Sequence, residues 1–268
     1  MENLDISVIL PVESSKHLDF AEYFDKAILS IQNQVIGINE LVIVHSGEES
    51  LSNYISNYNF SGLTVNIYHN EGKTDFGSQV NYGVSKAKSK WISILEFDDE
   101  YASIWFKNVK VYMDAYPEVD GFLPIVVDVD GKGVFAGFTN EATFAASMNT
   151  EIGILSNDML LSYQNFQTSG IVLKKETYED FGGFKPSFKL TFIYEFLLRL
   201  TYNSATLMTI PKIGYKHMNL REGSIFWNYK NGEDKITQSE AKFWIDSAKK
   251  EYFYTNEREI KYEESQEA

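Results

Sequence analysis

Trp91-Ile92-Ser93-Ile94-Leu95-Glu96-Phe97-Asp98-Asp99-Glu100 runs from an apolar, β-branched segment straight into four acids within five residues. Carboxylates this close repel one another, so the cluster costs stability unless water or a hard, oxygen-seeking cation neutralises it. In an open α/β sheet, ligands bind in the crevice beyond the carboxyl ends of the strands. The cluster sits at such an end, because the apolar segment is the fourth strand legible along the chain. The others are Ile6 to Val12, Glu40 to Val44 and Leu63 to Tyr68, all rich in the β-branched residues that buried strands carry. Between them lie helical stripes. Phe20, Phe24, Ala27, Ile28 and Ile31 recur at spacings of three and four, as do Phe76, Val80, Val84 and Ala87. Alternating strands and helices predict an α/β fold with a mostly parallel sheet.

At 268 residues, 44% of them hydrophobic, the chain has ample material for one large core with an extension. No apolar run approaches the ~18 residues that span a bilayer, and Met1-Glu2-Asn3-Leu4-Asp5 lacks the basic start of a signal peptide, so a cytoplasmic protein is expected. The absence of cysteine excludes disulfides, zinc-thiolate sites and thiol redox chemistry. A net charge of −14 argues against nucleic acid and anionic membranes as partners. The acidic tail Glu263-Glu264-Ser265-Gln266-Glu267 is expected to fray.

Beyond residue 104 the alternation weakens. Phe122 to Phe138 reads as a strand pair around Asp130-Gly131-Lys132-Gly133, with Asp-Gly supplying the positive φ of a tight turn. Asp128-Val129-Asp130, a second Asp-x-Asp, is expected to be its solvated tip. A C-terminal helix from about Gln238 to Tyr254 opens on Thr237-Gln238-Ser239-Glu240, which has capping-box spacing, and its Phe243, Trp244, Tyr252 and Phe253 are expected to pack on the parent domain.

The order of motifs resembles the family 2 glycosyltransferases, over roughly residues 5 to 225. Ile6-Ser7-Val8-Ile9-Leu10-Pro11-Val12 is similar to the family's opening strand, and Ala27 to Gln34 to the helix that follows. Asn70-Glu71-Gly72 and Asn81-Tyr82-Gly83 resemble its paired Asn-x-Gly motifs, and Ile94 to Asp99 its Asp-x-Asp-Asp. Thr168-Ser169-Gly170, Phe181-Gly182-Gly183-Phe184 and Glu195-Phe196-Leu197-Leu198-Arg199-Leu200 resemble the acceptor-side strand, the Gly-Gly-Phe turn and the acidic helix. The resemblance implies the GT-A fold, a Rossmann-like, mostly parallel mixed sheet flanked by helices. Residues 1–104 would form its nucleotide-binding half, 105–225 its acceptor half and 226–268 a helical extension.

The resemblance also implies a site. Asp98 is expected to hold a divalent metal, Mn²⁺ or Mg²⁺, with Asp99 supporting it and His217 completing it. Glu96 would share the donor, a nucleotide-diphosphate sugar. Arg221 or Lys216 would meet the diphosphate, and Pro11, Asn70, Gly72, Lys73, Gln79 and Asn81 fall at donor-contacting positions. Two departures stand out. Where the family carries Asp-Asp-Gly-Ser this chain has His45-Ser46-Gly47-Glu48, so His45 or Ser46 would have to meet the nucleobase. Where it carries Glu-Asp, this chain has Phe192 and Ile193, which leaves Glu195 as the candidate catalytic base. The expected activity is inverting, metal-dependent transfer of a sugar to a hydroxyl on a glycan, protein or small molecule. The alternatives are a sugar-nucleotide-binding or scaffold protein that has lost catalysis, and a nucleotidyltransferase, although the Gly-rich basic loop of the latter is absent after Pro11.

Overall fold

The computed structural model describes residues 3–14, 19–70, 72–143, 153–219 and 221–262. His17, the acidic tail and Glu71 of the first Asn-x-Gly motif lie outside the described residues. The strands are β1 (Leu4–Val12), β2 (Ile38–His45), β3 (Val65–His69), β4 (Trp91–Ile94), β5 (Glu100–Tyr101), β6 (Gly121–Val129), β7 (Phe135–Thr139), β8 (Gly153–Leu155), β9 (Val172–Lys174) and β10 (Leu207–Met218). The helices are α1 (Phe20–Gln32), α2 (Glu49–Asn57), α3 (Phe76–Lys86), α4 (Trp105–Ala115), α5 (Asn157–Ser162), α6 (Lys175–Asp180), α7 (Phe192–Tyr202), α8 (Ile225–Asn231) and α9 (Gln238–Glu251).

One sheet carries the fold in the order β3-β2-β1-β4-β9-β6-β10-β5, with β7 on β6 and β8 on β10. The long pairings are parallel: β1 with β2 and β4, β2 with β3, and β6 with β10. Short β9 is antiparallel to both β4 and β6 and so joins the two halves. The continuous apolar character of β1 follows from cover on both faces. Ile9 packs with Val42, Val44, Val80 and Val84 on the α3 side, while Ile6, Val8 and Leu10 pack with Phe24, Ile28 and Trp105 on the other. Gly83 lets α3 lie directly on the sheet: a Cβ there would stand 2.6 Å from Ile9 Cγ2 and 3.0 Å from Val44 Cγ2.

Several expectations change in detail. The third strand starts at Val65, because Gly62 turns the chain with φ +82°. The fourth strand ends at Ile94, where the chain leaves the sheet in a turn closed by Asp99 N–H donating to the Glu96 carbonyl. At the hairpin, the Asp130 carboxylate accepts from the N–H groups of Lys132 and Val134, and Gly133 rather than Gly131 takes the positive φ. Asp128 is not solvated; it is buried and accepts the Thr139 hydroxyl at 2.7 Å. The last helix stops at Glu251. Thr237 Oγ caps it by accepting the Glu240 N–H, but the Glu240 carboxylate turns to Trp244 Nε1 instead of closing the box. Trp244 and Tyr252 are buried as expected, whereas Phe253 stays exposed against Tyr202.

Candidate functional site

The turn after β4 gathers the acids beyond the sheet. Glu100 leaves the group by entering β5, where Lys216 of the neighbouring β10 strand pairs with it. The other three stay together, and β10 brings His217 to them through its parallel register with β6. Asp99, 1% exposed, accepts from the Met218 N–H at 2.8 Å and meets His217 Nδ1 at 2.9 Å. The Glu96 carboxylate accepts the Ser169 hydroxyl at 2.9 Å, while its backbone N–H donates to the Tyr215 hydroxyl at 3.0 Å. Asp98 takes a third direction, toward Arg221 Nε at 2.6 Å. The Arg221 guanidinium is itself seated 5.1 Å from the Phe97 ring centre and 5.7 Å from that of Tyr23.

Of these groups Glu96, Asp98, His217 and Arg221 open on a cleft, and buried Asp99 does not line it. Pro11, Glu96, Asp98, His217 and Arg221 line it, as do Glu13, Phe76, Gln167 and Asn219, which sequence reasoning missed. Glu13 had a signal, since it stands at the carboxyl end of β1. The far wall is apolar: Phe192 and Ile193 at the head of α7, then Ile225 and Phe226 of α8.

Among the described residues, the group that could hold a metal is Glu96, Asp99 and His217, with one ligand atom from each lying within 4.8 Å of the others. The two carboxylates suit a hard divalent cation, and the imidazole suits a transition metal better than Mg²⁺. Asp98, the expected ligand, pairs with Arg221. Electrostatics express the same want of positive charge. Burial and then Asp99 push the Glu96 carboxyl up to about 8. Asp98 is raised by burial and Asp99, against the pull of Arg221. Burial opposes protonation of His217, yet Asp99, Glu96 and Asp98 outweigh it and carry its value up to about 10. Burial and Asp75 lift Glu13 to about 7.

The sign of the resulting pH dependence is fixed. A carboxyl whose folded value is raised costs nothing below its ordinary value and its full penalty above the raised one. A raised histidine stabilises fully below its ordinary value and loses that contribution through the raised one. Glu96, Glu13 and His217 therefore act together, and metal-free protein is expected to lose on the order of a few kcal/mol between pH 5 and pH 10. Urea unfolding in EDTA measures this, and stability that rises over that range contradicts it. Added Mn²⁺ is expected to stabilise more as pH rises, because its ligands must shed protons.

Several expected donor contacts lie elsewhere. The Gln79 side chain is fully buried, accepting from the Val12 N–H and donating to the Thr74 carbonyl, so it fastens α3 to the end of β1. Asn81 is spent on Tyr178 and both backbone groups of Phe184, which locks the Gly-Gly-Phe turn onto α3. Asn70, Gly72, Lys73 and Asn81 line a separate groove with Ser78, Tyr82, Pro186 and Glu257. His45 is buried, stacks on His69 at 5.6 Å and accepts the Gly47 N–H, and neither it nor Ser46 lines the cleft. The Ser46 hydroxyl is buried with no hydrogen-bond partner among the described residues.

Glu195 is the largest correction. It is fully buried, with one carboxylate oxygen taking Lys185 Nζ and Arg199 Nε and the other Arg199 Nη2. Both oxygens are thus engaged, and the residue does not line the cleft.

The description glycosyl transferase family 2 matches residues 7–163, more than half of the chain. The chain belongs to that family. Its fold is that of the solved GT-A glycosyltransferases. It is similar to TarS residues 1–349 of S. aureus in complex with UDP-GlcNAc, with TM-score 0.63 and 16% identity over 84% of this chain and 61% of that one. The same TarS segment in complex with UDP gives 0.61 and 15% over 80% and 60%. GalNAc-T7 with UDP, GalNAc and Mn²⁺ gives 0.56 and 12% over 80% and 43%. The chain thus spans about three fifths of the TarS segment it matches. No curated protein matches by sequence. In this family 2 chain no helix among the described residues is long and apolar enough to cross a membrane.

Proposed function

We propose that the chain is a metal-dependent glycosyltransferase that moves a sugar from a uridine-diphosphate donor to a hydroxyl acceptor with inversion. The observation that carries this reading is the cleft itself: a carboxylate and histidine group with unmet positive charge, at the carboxyl end of β4, in a member of this family. UDP-GlcNAc in TarS and UDP with Mn²⁺ in GalNAc-T7 support the choice of donor and metal. A bound divalent ion would stabilise charge on the departing diphosphate. Glu96, Asp99 and His217 would hold that ion, and Asp99 would fix the His217 ring through Nδ1. Arg221, ion-paired with Asp98 and lining the same cleft, would supply a second positive group for the phosphates. Phe192, Ile193, Ile225 and Phe226 would give the acceptor an apolar wall.

Residues 226–268 contribute to this site, because Phe226 lines the cleft and Trp244 packs in the core beside α7. We therefore read residues 1–225 and the extension as one functional unit. A binding protein without catalysis is the second reading, and the sequestered Glu195 favours it. The test is a thermal-shift screen of uridine, guanosine, cytidine, thymidine and adenosine diphosphates, each with and without Mn²⁺. A ligand present at 100 times its Kd adds about 2.7 kcal/mol to a native state. The reading predicts a shift that requires both UDP and Mn²⁺, and no shift with any pair contradicts it.

A further inference from the structure

The acids of the cleft differ in what already holds them. Asp98 faces Arg221, Glu96 belongs with Asp99 and His217, and Glu195 is sealed away from the cleft altogether. Glu13 is different. It lines the cleft just past the end of β1, as does Phe76 at the head of α3. The Phe76 ring in turn lies 5.9 Å from the ring of Phe192. Glu13 therefore lines the same cleft as Phe76, Phe192 and Ile193, and the latter two offer no proton acceptor of their own. Among the described residues, the charged and titratable groups that face it are Asp75 at the head of α3, Asp98 after β4, Arg221 after β10 and Tyr229 on α8.

We propose that Glu13 is the catalytic base of this chain, taking the proton from an acceptor hydroxyl bound against the Phe192 and Ile193 wall. The proposal rests on the transferase reading above. In the step, the hydroxyl oxygen forms the new bond to the anomeric carbon as its proton passes to the Glu13 carboxylate. The bond from that carbon to the diphosphate oxygen breaks, and the diphosphate leaves with the electron pair. Glu13 then returns the proton to water. A carboxyl lifted to about 7 by burial and by Asp75 is half ionised at neutral pH and is a stronger proton acceptor than an ordinary glutamate. Asp75 and Asp98 raise its basicity, while Arg221 limits the rise.

The test compares wild type, Glu13→Gln and Glu13→Asp for release of UDP from UDP-N-acetylglucosamine and UDP-glucose with Mn²⁺, with water as the acceptor, from pH 5 to 9. The proposal predicts a wild-type kcat that rises with a midpoint near 7. Glu13→Gln should lose about 100-fold or more in kcat, keep its KM for donor and lose the midpoint, with partial rescue in Glu13→Asp. A Glu13→Gln variant that changes KM alone, or keeps the wild-type pH profile, overturns the proposal and makes Glu13 a donor-binding group. A wild type that binds UDP with Mn²⁺ yet releases nothing from either donor also overturns it, in favour of the binding-protein reading. A wild type that binds no nucleotide overturns the transferase reading itself.

Discussion

Glu195→Ala is expected to destabilise the chain by about 3–5 kcal/mol, the cost of breaking a buried ion pair by removing one partner. The site makes the upper end the better figure, because one carboxylate serves two cations. Lys185 is 2% exposed and Arg199 not exposed at all, so neither finds water when Glu195 is gone. Lys185 would keep the carbonyls of Glu251 and Tyr254, and Arg199 those of Phe181 and Gly183, but carbonyl dipoles do not neutralise two charges. The same contacts explain why the loss spreads. The triad ties the end of α9 and the Gly-Gly-Phe turn to α7, whose first residues form the acceptor wall. Burial already pulls the Lys185 amine below its ordinary value, and its remaining hold on the proton comes from Glu195. The urea midpoint at pH 7 measures the effect. A change below about 1 kcal/mol would contradict the structural role and restore Glu195 as a candidate base.

Asp99→Ala is expected to have the largest effect on function, with Mn²⁺-dependent nucleotide binding falling at least 100-fold and turnover lost. Asp99 is a ligand candidate and also the partner that fixes the His217 ring, so a single substitution removes one donor and unseats another. Without it, burial acts on His217 with less opposition, and the imidazole gives up its proton closer to neutral pH. Calorimetric titration of UDP in the presence of Mn²⁺ separates this from unfolding, since a folded variant that binds UDP as tightly as wild type contradicts the metal assignment. Asp98→Ala should cost less Mn²⁺ affinity than Asp99→Ala, because Asp98 is committed to Arg221.

The sheet was legible because its strands are buried on both faces, and burial writes itself into consecutive residues such as Ile6 to Val12 and Leu41 to Val44. The metal group was legible only as a neighbourhood. Glu96, Asp98 and Asp99 are adjacent in sequence, but a turn of the backbone decides which of them faces His217, and no spacing rule encodes that turn. Asp98 turns to Arg221, and Glu96 lies with Asp99 and His217, for this reason. Glu195 failed differently. Its helix position matches an acidic motif, yet its partner Lys185 sits ten residues away in a loop whose path depends on Gly182 and Gly183. Gln79 and Asn81 show a further limit, because polar side chains that fasten one element to another have the same residue types as those that grip a ligand. Glu13 was overlooked because it belongs to no motif.

The central claim is that the cleft beyond β4 binds a nucleotide diphosphate together with a metal held by Glu96, Asp99 and His217. A crystal grown with UDP and Mn²⁺, with anomalous scattering recorded for manganese, tests it most directly. The account predicts an anomalous peak in contact with Glu96, Asp99 and His217, with the diphosphate beside it and beside Arg221. Nucleotide bound outside the cleft, or manganese away from those three side chains, would contradict it.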